Sequence, residues 1–141
     1  MDALYREQIL DHYKHPHNFG ELDDADLEFA DTNPLCGDEI TIEARVEDGR
    51  VAEVAFQGSG CSISQASASM MTEAVGGKDV RDAVALAGEF RSFMEGSVEP
   101  DEDAFGDLIA LKGVAKYPVR IKCAVLAWDV LQDALAADGT G

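Results

Sequence analysis

Between Glu39 and Val46 every second residue is apolar: Ile40, Ile42, Ala44 and Val46. A period of two lays one side of an extended strand against a core. Val51 to Gln57 repeats the pattern with Ala52, Val54 and Phe56, and Asp48-Gly49 between the two runs marks a hairpin. A two-residue turn at Asp48-Gly49 would pair odd positions with even ones and set the two apolar rows on opposite faces. A three-residue loop, Glu47-Asp48-Gly49 with Gly49 left-handed, pairs Ile42 with Val54 and Ile40 with Phe56 instead. The longer loop is the expectation, because the buried face dictates register. A shorter alternating stretch around Leu27 and Phe29 supplies another strand.

Helical spacing takes over elsewhere. Leu4, Tyr5, Ile9 and Tyr13 space an amphipathic helix up to Lys14, and His15-Pro16 ends it, since the residue before proline avoids the helical region. A polar, acidic stretch to Asp26 follows. Past Cys61 the apolar positions Ile63, Ala66, Met70 and Ala74 form a stripe, with Ser62 and Gln65 as a capping box and Gly76-Gly77 as the stop. Asp79 opens a further helix through Val80, Ala83, Val84, Ala87 and Phe90. The acidic run Glu95 to Asp103 reads as a loop, and Asp107 to Lys112 as a short helix ended by Gly113. Pro118, at a first helical position, opens a final helix to Ala137, striped by Ile121, Ala124, Val125, Trp128, Leu131 and Leu135. Strands first and helices after predict an α+β fold, a small three-stranded antiparallel sheet packed against several helices, as one domain over residues 1–141.

Charge narrows the function classes. Asp and Glu number 28 against 11 Lys and Arg, a formal charge of −17, which disfavours nucleic acid as a partner because phosphate contacts need basic side chains. The bland reading is a solvated acidic surface; self-repulsion relieved by screening ions also suits a protein adapted to high salt. No stretch approaches the roughly 18 consecutive apolar residues of a membrane span. Met1 to Glu7 carries no basic-then-apolar leader pattern. The expectation is a soluble, cytoplasmic protein.

Three cysteines cannot all pair within one chain. In a reducing compartment they are core filler, nucleophiles or metal ligands. Cys36-Gly37-Asp38 sets a thiol and a carboxylate two residues apart, where extended backbone points both the same way. Cys61 follows Gly58-Ser59-Gly60 at an expected helix start, where backbone N–H groups favour negative charge. Cys123 lies in the first turns of the last helix between Arg120, Lys122 and an apolar row. Three thiolates and one carboxylate make a tetrahedral zinc set, and the same residues could hold an iron–sulfur cluster. Each piece also has a plain structural alternative. Cys123 continues the row Val119, Cys123, Leu126, Val130, Cys61 could pack a tight turn, and Cys36 with Asp38 could form an ordinary one. The spacings of 25 and 62 positions match no C-x-x-C zinc signature. His12, His15 and His17 are close enough to ligate, but Pro16 and the helix end are expected to scatter their directions, leaving them solvated or structural.

Longer motifs carry a resemblance. Asn33-Pro34-Leu35-Cys36-Gly37-Asp38, the segment from Gly58 to Met71 around Cys61, and Gly113 to Ala124 around Cys123 resemble the three cysteine motifs of the U-type iron–sulfur cluster assembly proteins, a superfamily with NifU-like and IscU-like members. Leu4-Tyr5-Arg6 and Asp11-His12-Tyr13-Lys14 are similar as well. Within it the chain looks most like the SufU branch. The scaffold branch, IscU, carries a histidine just before the third cysteine and a shorter gap before it. Here Lys122 takes that place, and the extra length falls around Phe90 to Leu111. The resemblance implies a SufE/NifU-like fold and a zinc site of Cys36, Asp38, Cys61 and Cys123. It also implies sulfurtransferase-like work: Cys36 accepts persulfide sulfur from a pyridoxal-phosphate-dependent cysteine desulfurase (SufS-like) for a downstream iron–sulfur scaffold. The alternative it leaves open is a scaffold on which iron or a [2Fe–2S] cluster is assembled.

Overall fold

A computed structural model describes residues 3–33, 37–96 and 102–137, the side chains of Glu102, Ala104 and Ala137 excepted. Helix α1 (Ala3–Lys14) precedes strands β1 (Leu27–Asn33), β2 (Asp38–Glu47) and β3 (Arg50–Ser59). Helices α2 (Ser62–Val75), α3 (Val80–Met94) and α4 (Glu102–Phe105), a 3-10 helix (Gly106–Lys116) and α5 (Pro118–Ala137) complete the chain. The sheet is antiparallel in the order β1-β2-β3. Helix α2 packs along β3, and α5 lies across β1 and β2. The expected α+β architecture is therefore the observed one.

Along β2 the alternation does what the sequence implied: Ile40, Ile42 and Ala44 are buried and their neighbours are not. The hairpin register differs from the expectation. Asp48 and Gly49 form a two-residue turn with φ of 53° and 75°, the left-handed pair that Asp-Gly favours, flanked by Glu47 opposite Arg50. Parity is restored by a bulge: Arg45 pairs with Glu53 but Val46 with Val51, so Ala52 is the extra residue. Ile42 thus meets Phe56, Ile40 meets Gly58, and Val51 joins Val54 and Phe56 on the buried face in place of Ala52. The segment before β1 straps onto the outer side of β3. The Phe56 N–H donates to the Asn18 carbonyl at 3.0 Å, and the Gly20 N–H donates to the Phe56 carbonyl at 2.9 Å.

The core between sheet and helices is aromatic at one end. Phe90 stacks on Trp128 with centroids 4.9 Å apart, and Phe93 and Phe105 meet edge to face at 5.2 Å. Full burial of side chains of this size contributes about 1.5–3 kcal/mol each. Phe105, Leu108 and Leu111 therefore anchor the segment after α3 rather than leaving it as a loose excursion. Within that segment the expected loop from Glu95 to Asp103 falls partly outside the described residues, and α4 starts at Glu102. Gly113 does not stop the following helix. The 3-10 geometry runs through it to Lys116, burying Leu108, Ala110, Leu111 and Val114.

A buried polar chain ties this segment to the helices beneath. His12, 2% exposed, has Nε2 2.9 Å from the Asp107 carboxylate and Nδ1 2.7 Å from the Ser69 hydroxyl. A carboxylate only accepts, so Nε2–H donates to it. Ser69 Oγ also accepts the His17 N–H at 2.8 Å, and the His17 ring pairs with Glu73. The rings of His12 and His17 lie 4.6 Å apart rather than scattered, because the chain folds back after Pro16. Both are occupied structurally, as expected. His12→Leu should leave the buried Ser69 hydroxyl without its ring partner, lowering stability by about 1–3 kcal/mol in a urea titration with the m-value unchanged.

Candidate metal centre

The site is built at the end of the sheet where β1, β2 and β3 give way to helices. Asp38 is the first residue of β2, paired with Asn33, the last of β1, and its side chain is fully buried. An ionised carboxylate in such a place requires hydrogen bonds or a cation. Its Oδ1 accepts the Cys61 N–H at 2.8 Å, and Oδ2 lies 3.8 Å from the Cys61 sulfur. Gly60 permits this approach. It sits at φ 137°, and a Cβ there would stand 2.3 Å from Asp38 Oδ1 and 2.8 Å from its Cα.

Cys61 is itself the N-cap of α2, in extended conformation (φ −73°, ψ 161°), and its sulfur accepts the Ser64 N–H at 3.5 Å. The helix begins at Ser62 as the sequence implied. The cap, however, is the cysteine rather than the expected Ser62 and Gln65 box, and the Ser64 hydroxyl donates to the Cys61 carbonyl at 3.1 Å. Cys123 arrives from α5, fully buried, with its sulfur 3.9 Å from the Val119 carbonyl and 3.8 Å from Asn33 Nδ2.

Asp38, Cys61 and Cys123 present ligand atoms that all lie within 4.8 Å of one another. Among the described residues no other group of three or more His, Cys, Asp or Glu residues converges in this way. A tetrahedral zinc ion with bonds of about 2.3 Å to sulfur and 2.0–2.2 Å to oxygen holds its donors roughly 3.6–3.8 Å apart. The Cys61–Asp38 pair already has that spacing, and the full set needs side-chain adjustments of about 1 Å. The donor chemistry and the buried carboxylate fit such an ion. Cys36, the fourth expected ligand, lies outside the described residues. Arg120 and Lys122 are exposed on α5, while Cys123, directly after Lys122, is buried.

Two features escaped the sequence reading. Asn33 faces the sulfur of Cys123; its place at the end of β1, level with Asp38, was the available signal. A cleft of about 430 Å³, lined by Tyr13, Pro16, Phe19, Ser59, Gly60 and Gln65, opens beside the glycine turn. Phe19 and Tyr13 at its rim are 53% and 43% exposed. No helix among the described residues is long and apolar enough to cross a membrane.

Known proteins share this arrangement of the chain. A zinc-dependent sulfurtransferase, SufU, of Bacillus subtilis (strain 168) is 44% identical over 141 residues, covering 100% of this chain and 95% of its own. An iron–sulfur cluster assembly scaffold protein, IscU, of Streptococcus pyogenes serotype M1 is 42% identical over 96% of this chain and 84% of its own. A crystal structure from Fervidobacterium islandicum AW-1, of a candidate iron–sulfur cluster assembly scaffold protein for the SUF system, superposes with a TM-score of 0.86. Its identity is 35%, over 92% of this chain and 94% of that one. Residues 4–124 match the family of the NifU-like N-terminal domain, and with these relatives the chain belongs to that family.

Proposed function

We propose that the chain is a zinc-dependent sulfur carrier of iron–sulfur cluster assembly, taking sulfur from a cysteine desulfurase through Cys36 and handing it to a downstream scaffold. The observation that carries the reading is the convergence of Asp38, Cys61 and Cys123 from a strand, a helix cap and a second helix onto one point. Cys36 precedes Asp38 by two residues, a span of about 7 Å at most, and that proximity supports it as the fourth ligand. The name of the B. subtilis relative supports zinc and sulfur transfer together.

Bound zinc supplies a positive charge that keeps coordinated thiols deprotonated, with their lone pairs engaged. The chain's own groups do the rest. The Cys61 N–H holds Oδ1 of Asp38, so Oδ2, 3.8 Å from the Cys61 sulfur, is the oxygen that would bind a metal, and the Ser64 N–H supports that sulfur. In the transfer, the Cys36 thiolate attacks the terminal sulfur of the desulfurase persulfide. A new S–S bond forms to Cys36, the old one breaks, and the desulfurase cysteine leaves as a thiolate, with no net change of oxidation state. A single carboxylate among thiolates makes the site more exchangeable than four sulfurs would. A reducing cytoplasm, where thiols persist, is the compartment this chemistry requires.

Relatives named as scaffolds support a second reading, in which a [2Fe–2S] cluster is assembled on the same residues. Two measurements on protein purified without oxygen separate the readings. The carrier is expected to hold near-stoichiometric zinc, show no visible absorption and raise the turnover of a pyridoxal-phosphate cysteine desulfurase. A coloured cluster in place of zinc, with desulfurase turnover unaffected, would establish the scaffold instead.

A further inference from the structure

Each of the three described donor groups receives an N–H from a described residue. Asp38 Oδ1 takes the Cys61 amide, the Cys61 sulfur takes the Ser64 amide, and the Cys123 sulfur takes the side-chain amide of Asn33. Two of these donors are backbone and are fixed by the fold. The third is a side chain, and it serves a ligand that, like Asp38, has no access to water: Cys123 is 0% exposed and Asn33 only 7%. A thiolate in that position has no solvent to stabilise it, so an N–H aimed at the sulfur is its nearest substitute. The Val119 carbonyl on the other side only accepts, and can serve the thiol but not the thiolate.

We infer that Asn33 is a positioning residue of the metal site, fixing the Cys123 sulfur and supporting it as a metal-bound thiolate. Its place in the fold suits that task. Asn33 and Asp38 form the last pair of the β1–β2 ladder, and the four residues between them include Cys36. The strand ends that bracket Cys36 thus each send a buried side chain into the cysteine cluster. One is a ligand and the other orients a ligand. Cys123 stays on the metal while Cys36 exchanges, because Cys123 is held from both the helix side and the strand side.

The inference rests on the zinc reading, and its test separates the two. Zinc affinity of the full-length protein is measured by competition with a chromogenic chelator, and the cobalt(II)-substituted protein reports its sulfur-to-metal charge-transfer band. Asn33→Leu removes the donor at nearly constant shape and should weaken zinc about tenfold, at the low end of the 10–100-fold loss typical of outer-shell partners, with a shifted band. Asn33→Asp keeps the size, presents an acceptor to the sulfur and should weaken it further; it decides the matter if the leucine variant does not fold. Wild-type affinity and an unshifted band in a folded variant would overturn the role of Asn33 alone. Wild-type protein that binds no zinc would overturn the zinc reading and this inference with it.

Discussion

Replacing Cys36 with alanine is expected to return desulfurase turnover to its rate without the carrier, while the protein stays folded. Sulfur transfer needs a thiolate that can attack the terminal persulfide sulfur, and the other two cysteines are badly placed for it. Cys123 is buried on the inner face of α5, and Cys61 is committed to capping α2. The core of the described residues is assembled by β2, β3 and the helices, and removing one thiol from Cys36 is expected to leave the thermal midpoint of the metal-free protein near that of wild type. Asp38, Cys61 and Cys123 remain as a three-point site, and zinc binding weakens without disappearing. A Cys36→Ala protein that holds zinc and still raises turnover would mark the metal as structural. Alanine or sulfide production by the desulfurase, with and without the variant, reads the outcome.

Gly60→Ala is expected to be strongly destabilising. Two separate costs meet there. At φ 137° a non-glycine residue is strained by about 1–3 kcal/mol. The new methyl would also stand 2.8 Å from the Cα of Asp38, an atom fixed in a strand, so relief must come from moving the strand end or the turn. Together the expected loss is about 3 kcal/mol or more, a fall in melting temperature of roughly 10 °C for a chain of this size. The same shift pulls Asp38 from the Cys61 N–H, so zinc affinity should fall with stability. Gly77→Ala is the control. Gly77 also has a left-handed φ, of 84°, but nothing lies within 4 Å of its Cβ position, so backbone strain acts alone. Thermal unfolding of the two variants side by side separates the clash from the strain.

Where a single period dominates, the sequence predicted the structure closely. The alternation of Ile40, Ile42 and Ala44 and the proline at the start of α5 both had local causes that a reader of residues can see. The hairpin register was missed because two local signals conflicted. Asp48-Gly49 demanded a two-residue turn, the apolar rows demanded matched parity, and the chain satisfied both with a bulge at Ala52 that no composition marks. Gly113 was read as a helix stop because its conformational freedom was weighed without its surroundings. Leu108, Leu111 and Val114 carry the 3-10 helix past it by packing.

The site divides along the same line. That Asp38, Cys61 and Cys123 meet was legible only through motifs much longer than the ligands themselves, since spacings of 25 and 62 positions carry no local geometry. Cys61 as its own helix cap, and Asn33 as partner of Cys123, depend on the strand ends lining up in space. No periodicity encodes that alignment.

X-ray absorption at the zinc edge, on protein purified without oxygen, tests the coordination most directly. One zinc per chain should show three sulfur scatterers at about 2.3 Å and one oxygen at about 2.0–2.2 Å, with one sulfur lost in Cys123→Ser. A shell of nitrogen and oxygen alone, or a sulfur count that Cys123→Ser leaves unchanged, would contradict it.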